Sequence, residues 1–233
     1  MSDRTTSAHP AGDVPALVEH LFRHHAAELV ARLARILGPG QLDLAEDVVQ
    51  EALLSALRAW SVGTLPDNPR AWLTAVARNR ALDRIRSDRL LATHGEELRG
   101  MLHPSERNAT AEADDALADD QLRLIFLCCH PAIPAESRTA LTLKLAGGFS
   151  VAEIARAMLA EESAIAQRIV RAKRRIRDDG IPLTLPDPPD LGERLGSVLE
   201  VLYLMFNEGY LAHSSDEVLR RDLCHEALRM ALL

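Results

Sequence analysis

Residues 150 to 177 read SVAEIARAMLAEESAIAQRIVRAKRRIR, and no other stretch limits the available folds so strongly. Ile165, Ile169, Ala172 and Ile176 recur at helical spacing, which predicts a helix with one apolar face. Six positive charges (Arg168, Arg171, Lys173, Arg174, Arg175, Arg177) fall in the last ten residues, with no acid from Ser163 to Arg177. Ser163, Gln167, Val170 and Arg174 point roughly opposite the apolar face, and Arg168, Arg171 and Arg175 line one flank. Upstream, Ser150 is placed to cap a short helix, VAEIARAM. The second helix begins near Glu161 or Glu162, leaving a turn at Leu159 and Ala160. This is a helix-turn-helix layout. Its front suits a DNA major groove: Arg pairs with guanine, Gln with adenine, and flanking Arg meets phosphates.

Composition agrees with helices throughout. The chain has 233 residues, 47% of them hydrophobic, and only 3% are aromatic. Strands draw on aromatic and β-branched side chains, so the fold class expected is all-α. Three cysteines, two of them adjacent (Cys128, Cys129), make no disulfide framework, and the N-terminus lacks the apolar core of a signal peptide. No apolar run approaches the roughly 20 residues that cross a bilayer, so a cytoplasmic protein without a membrane span is expected. The net charge is −7, yet residues 70 to 89 carry +4 and residues 163 to 177 carry +6, leaving −17 for the rest. Two basic strips on an acidic body suggest two docking places for a polyanion, with repulsion elsewhere.

Punctuation divides the chain. Residues 1–13 read as a loose tail. Within 14–90 three helices are predicted. The first carries Leu17, Leu21, Leu29 and Leu33 and stops at GPG, residues 38 to 40. Asp43 and Glu46 look like a capping box opening the second, in which Ala45, Val49, Ala52, Ala56 and Trp60 face inward and Asp47, Gln50, Leu54 and Arg58 outward. In the third, Leu73, Ala77, Ala81 and Ile85 repeat every four residues. Residues 91–118 read as an acidic linker, 119–179 as a second helical domain ending in the helix-turn-helix, 180–192 as a proline-rich extended hinge, and 193–233 as the start of a helical C-terminal extension of two helices. The last apolar pattern has no Gly or Pro exit, so more protein is expected to follow.

EIARAMLAEESAIAQRIVRAKRRI resembles, without a gap, the region 4 helix-turn-helix of bacterial sigma factors. AEDVVQEALLSALRAW and PRAWLTAVARNRALDRIRSDR resemble region 2 of the extracytoplasmic-function (ECF) sigma factors. LYLMFNEGY and RRDLCHEALR are similar to the C-terminal extension of one group of these factors, where it leads into a tetratricopeptide-like repeat. With the linker, regions 2 and 4 cover roughly residues 16 to 178. The chain departs from the pattern at Leu159, where a turn Gly is usual, at Glu161 in place of a Ser cap, and at Ala164 and Ala166 in place of Thr and Lys.

The resemblance implies two small helical domains on a flexible linker, core RNA polymerase and promoter DNA as partners, and no enzyme activity, catalytic residue, metal or cofactor. It places Asp47, Gln50 and Glu51 against the polymerase clamp helices. Arg78, Asn79, Arg80, Arg84, Arg86 and Arg89 fall at the −10 element, where capture of a single strand needs positive charge and a base-reading group. Ser163, Gln167, Arg168, Arg171, Arg174 and Arg175 fall at the −35 element. The acidic linker would mimic nucleic acid in a polymerase channel, and a regulatory protein or the C-terminal extension itself would control the factor. Trp60 and Trp72 are expected in the core. Two other classes stay open: a stand-alone helix-turn-helix regulator, and a helical carboxylate-metal enzyme built on Cys128, Cys129 and His130, on His24, His25 and Glu28, or on DDALADD.

Overall fold

The protein is described from a computed structural model covering residues 14–63, 65–92, 112–210 and 217–233. The tail 1–13, most of the expected linker, the loop 211–216 and the side chains of His24 and Arg89 lie outside the described residues. So do the DDALADD side chains up to Leu117 and Ala118. Among the described residues the only regular elements are helices: α1 Val14–Leu37, α2 Leu42–Val62, α3 Pro69–Ala92, α4 Glu112–Cys128, α5 Ala135–Leu145, α6 Val151–Ala157, α7 Glu162–Asp178, α8 Pro188–Tyr210 and α9 Glu217–Ala231, with a 3-10 turn at Pro39–Gln41. The chain is all-α, as its composition predicts.

α1, α2 and α3 pack mutually around Leu29, Leu33, Val49, Ala52, Ala56 and Leu73. All five residues predicted to face inward on α2 are buried, and all four predicted to face outward are exposed. Alanines at the crossing points let the helices approach closely, while Trp60 fills the end and meets Trp72 at 5.3 Å between centroids. Gly38 ends α1 at φ 91°, a conformation that costs other residues a clash between Cβ and backbone.

The expected capping box at Asp43 and Glu46 does not form. The 3-10 turn runs directly into α2, Gln41 takes the N-cap position without a side-chain bond, and both carboxylates turn instead to Lys173. Two expected boundaries also move. α4 begins at Glu112, inside the segment predicted as linker, because EADDALADD contains no Gly or Pro to break a helix. α8 begins at Pro188, inside the predicted hinge, because proline in a first helical turn gives up only an N–H that has no partner there.

α4 to α7 close around Leu124, Ile125, Leu141, Ile154, Ile165 and Ile176, and this core is continuous with that of α1 to α3. α1 packs along α4, and α7 against the 3-10 turn. Arg35 Nε meets Asp120 Oδ1 at 2.8 Å across the same seam. α8 and α9 form an antiparallel pair seated on α4 and α5. Arg194 donates to the Phe126 carbonyl (2.7 Å), Arg138 to Ser197 Oγ (3.2 Å) and Arg229 to Gln121 Oε1 (3.0 Å).

Candidate nucleic-acid interface

The helix-turn-helix is built from local bonds. Ser150 Oγ accepts from the Glu153 N–H (3.2 Å) while the Glu153 carboxylate accepts from the Ser150 N–H (2.8 Å), a reciprocal cap that starts α6. α6 ends after two turns in a Schellman motif. The Ala160 N–H reaches the Ala155 carbonyl (2.9 Å), the Leu159 N–H reaches that of Arg156 (3.4 Å), and Leu159 stands between them at φ 48°. This reversal aims α7 across the unit.

On α7 the four predicted inward residues, Ile165, Ile169, Ala172 and Ile176, are all buried. Burying an Ile contributes about 1.5–3 kcal/mol, so the back face anchors the helix and leaves the front to chemistry. Ser163, Gln167, Val170, Arg171 and Arg174 are exposed along that front. Arg168 Nη2 lies 2.9 Å from Glu136 Oε2, Arg174 Nε 3.1 Å from Asp178 Oδ2, and Arg175 Nε 2.6 Å from Asp179 Oδ2. The expected −35 set therefore shares one helix, with Arg168, Arg174 and Arg175 ordered by exposed acids.

The other basic row is on α3. Arg78 and Asn79 are exposed. Arg80 Nη1 and Arg84 Nη2 grip the two oxygens of Glu51 at 2.8 and 3.0 Å, and Arg80 also donates to Ser55 Oγ at 2.7 Å. Arg86 meets Asp83 at 2.9 Å. Glu51, expected to face polymerase, thus spends its carboxylate on two residues expected at the −10 strand, while Asp47 and Gln50 stand exposed on the outer face of α2. The α3 and α7 sets are carried on different units.

Lys173 has no place in the predicted sites. Its ammonium bonds Asp43 (2.6 Å) and Glu46, and Lys144 reaches the other oxygen of Glu46 at 3.2 Å. Burial draws the Lys173 pKa down, but Glu46 and Asp43 outweigh it and raise it above the ordinary lysine value. A sequence signal for this cluster exists: among 27 basic residues only Lys144 and Lys173 are lysines, and both converge on Glu46.

The metal alternatives find no support among the described residues, where no group of three or more His, Cys, Asp or Glu is placed to hold an ion. Burial pushes the Cys129 thiol up to about 11 and that of Cys128 well above its ordinary value, so both are packing groups. Glu28 accepts from His25 (3.0 Å) and Arg70 (2.9 Å), which makes it an ion-pair hub. No described helix is long and apolar enough to cross a membrane.

Comparison with known proteins assigns each part. Sigma-70 region 2 matches residues 21–90 and Sigma-70, region 4 matches residues 123–176. A family of unknown function, DUF6596, matches residues 194–233. An uncharacterized protein of Rhizobium meliloti is 45% identical over 82% of this chain, which spans 46% of that protein's length. The ECF RNA polymerase sigma factors SigM and SigL of Mycobacterium tuberculosis are each 32% identical, over 73% and 70% of this chain and 80% and 88% of their own lengths. Regions 2 and 4 in order, on the folds and surfaces described, place this chain in the ECF family of RNA polymerase sigma factors.

Proposed function

We propose that the protein is a promoter-specificity subunit of RNA polymerase that works in the cytoplasm. It binds the core enzyme, recognises −35 and −10 promoter elements, and promotes opening of the DNA without catalysing a reaction itself. The observation that carries this is the pairing of two cationic surfaces on one chain: the Gln167/Arg171/Arg174 front of a capped helix-turn-helix, and the Arg78–Arg86 row beside the acidic outer face of α2. Asp47 and Gln50 meet the clamp helices, with Glu51 at the edge of that surface. Arg78, Asn79, Arg80, Arg84, Arg86 and Arg89 hold the −10 strand. Gln167, Arg171 and Arg174 reach base edges with Ser163 at their start, while Arg168 and Arg175 exchange their carboxylates for phosphates. The C-terminal pair braces region 4 through Arg194, Arg138 and Arg229 and stands in for a separate regulatory protein.

The test is transcription by purified core polymerase, with and without the protein, on sheared DNA from its own source. New start sites sharing paired upstream elements are expected. Their absence, with no co-migration of protein and polymerase on a sizing column, would leave the stand-alone regulator as the reading. On an identified promoter, Arg175→Ala, which removes a phosphate contact, lowers the salt slope of holoenzyme binding by about one. A chain lacking residues 190–233 is run beside it. Equal transcription and equal melting temperature would remove the extension from this account.

A further inference from the structure

Besides the Arg35–Asp120 pair, four charged groups at the seam between the two units form a set of their own. Asp43 and Glu46 come from the start of α2, Lys144 from α5 and Lys173 from α7, two negative against two positive. The Lys173, Glu46 and Lys144 side chains are 11%, 13% and 22% exposed, whereas Asp43 is 71% exposed. In a chain that elsewhere uses arginine, the compact and strongly hydrated ammonium appears only here.

The position of Lys173 on α7 gives the cluster its meaning. At 100° per residue, Lys173 lies about 100° around the helix from the Gln167/Arg174 front, on the flank away from Arg168 and Arg175. An α-helix is about 10–12 Å across with its side chains, and the major groove is about 12 Å wide, so a seated helix turns both flanks towards phosphate. Region 2 holds one flank already. Asp43 and Glu46 sit where a phosphate would meet Lys173, and a Cβ built on Gly40 would lie 3.5 Å from Arg177 Cγ on the same side. A phosphate wall and the Pro39–Leu42 turn cannot both occupy that flank.

The seam also reaches the surface proposed for polymerase. Glu46 precedes Asp47, and a small cleft between the units is lined by Ala27, Val30, Glu46, Gln50, Lys144 and Leu145. A protein that grips Asp47 and Gln50 works at the rim of this cleft.

We infer that Lys173 serves two mutually exclusive anionic partners, the Asp43/Glu46 pair of region 2 in the free protein and a backbone phosphate when α7 is on duplex DNA. The four-charge cluster is thereby an electrostatic latch that closes region 4 on region 2. The inference rests on α7 being the −35 recognition helix. With the latch shut, only the open fraction binds duplex, and the apparent dissociation constant rises by the inverse of that fraction.

Full-length wild type, Asp43→Asn/Glu46→Gln and Lys173→Gln are compared without polymerase. The radius of gyration is taken from X-ray scattering, helicity from circular dichroism, and affinity from titration of short duplexes of random sequence across a salt series. Both variants are expected to keep their helicity and to expand. The double variant, which keeps Lys173, binds duplex about tenfold tighter than wild type. Lys173→Gln expands as well but gains less, and its salt slope is about one lower than that of the double variant, because a phosphate contact is gone. An unchanged radius in both variants overturns the latch. Expansion without tighter binding by the double variant overturns the exchange of partners. Wild-type transcription with core polymerase is scored separately: its failure strikes the proposed function, whereas the radius reports on the latch alone.

Discussion

The two arginine-rich helices reach the surface by opposite means. α3 backs onto α2 through Leu73, Ala77 and Ala81, and carboxylates on other helices hold three of its arginines, Arg70 by Glu28 of α1 and Arg80 and Arg84 by Glu51 of α2, while Arg86 pairs with Asp83 of α3 itself. α7 backs onto its unit through three isoleucines; Arg174 and Arg175 are held by acids one turn further along the chain, Asp178 and the C-cap Asp179, and Arg168 alone of the three reaches another helix, at Glu136 of α5. Cross-helix pairs fix a guanidinium relative to the fold. Exposed i, i+4 pairs are worth only about 0.3–0.5 kcal/mol and exchange readily for a phosphate. The first row is arranged in advance, as an extruded single strand requires; the second is free to follow a groove.

The largest effects expected lie behind these surfaces. Ile176 is fully buried, and Ile176→Ala should cost about 2–5 kcal/mol by losing transfer energy and leaving a cavity. Behind α3 the opposite change is the damaging one. Ala77 is also fully buried against its neighbours, so Ala77→Leu should cost about 1–3 kcal/mol by overpacking. At roughly 2–4 °C of melting temperature per kcal/mol for a chain of this size, thermal unfolding resolves both. A harmless Ala77→Leu would show that α3 is not closely packed and break the comparison at its base.

Next in size is the carboxylate shared by two arginines. Glu51→Gln removes pairs to Arg80 and Arg84 whose partners are more than a third exposed, so folding should lose no more than about 1 kcal/mol. Function should move further, because two guanidiniums lose the group that orients them. The expected outcome is a larger loss in open-complex formation, followed by permanganate reactivity of the −10 strand, than in polymerase binding, followed on a sizing column. Loss of polymerase binding with normal opening per bound holoenzyme would return Glu51 to the clamp surface alone and leave α3 no better ordered than α7.

Much of this was legible in the sequence because helical periodicity reports burial directly. Ala45 to Trp60 on α2 and Ile165 to Ile176 on α7 lie on the predicted faces, and Ser150 caps α6 as expected, with the Glu153 carboxylate completing a box beyond the expected cap. What periodicity does not report is which charge meets which across units. Asp43 and Glu46 have capping-box spacing, and only the arrival of Lys173 from a helix about 130 residues away decides that they do otherwise. The pairing of Glu51 with Arg80 and Arg84 was hidden for the same reason, since each residue also fits a role at a partner surface. Pro188 and Glu112 show a third limit: a proline-rich or acidic stretch looks like a linker until the helix on one side extends into it.

The smallest effect concerns how the two units make their sharpest backbone turns. Region 2 leaves α1 through Gly38 at φ 91°, where no Cβ clashes, while the helix-turn-helix turns through Leu159 at φ 48° with its side chain 86% exposed. A left-handed conformation costs an L-residue about 1–2 kcal/mol, and the exposed leucine recovers little of that through packing. Leu159→Gly removes the clash but adds freedom to the unfolded chain, worth about 0.4–1 kcal/mol in the other direction. The expected net is a gain of about 0.5 kcal/mol, a rise of roughly 1–2 °C in melting temperature. Leu159→Ala keeps the Cβ and should gain nothing, which separates backbone strain from removal of an exposed apolar side chain. Equal stabilisation by both variants would assign the effect to the side chain, and the α6–α7 turn would then be as relaxed as the one at Gly38.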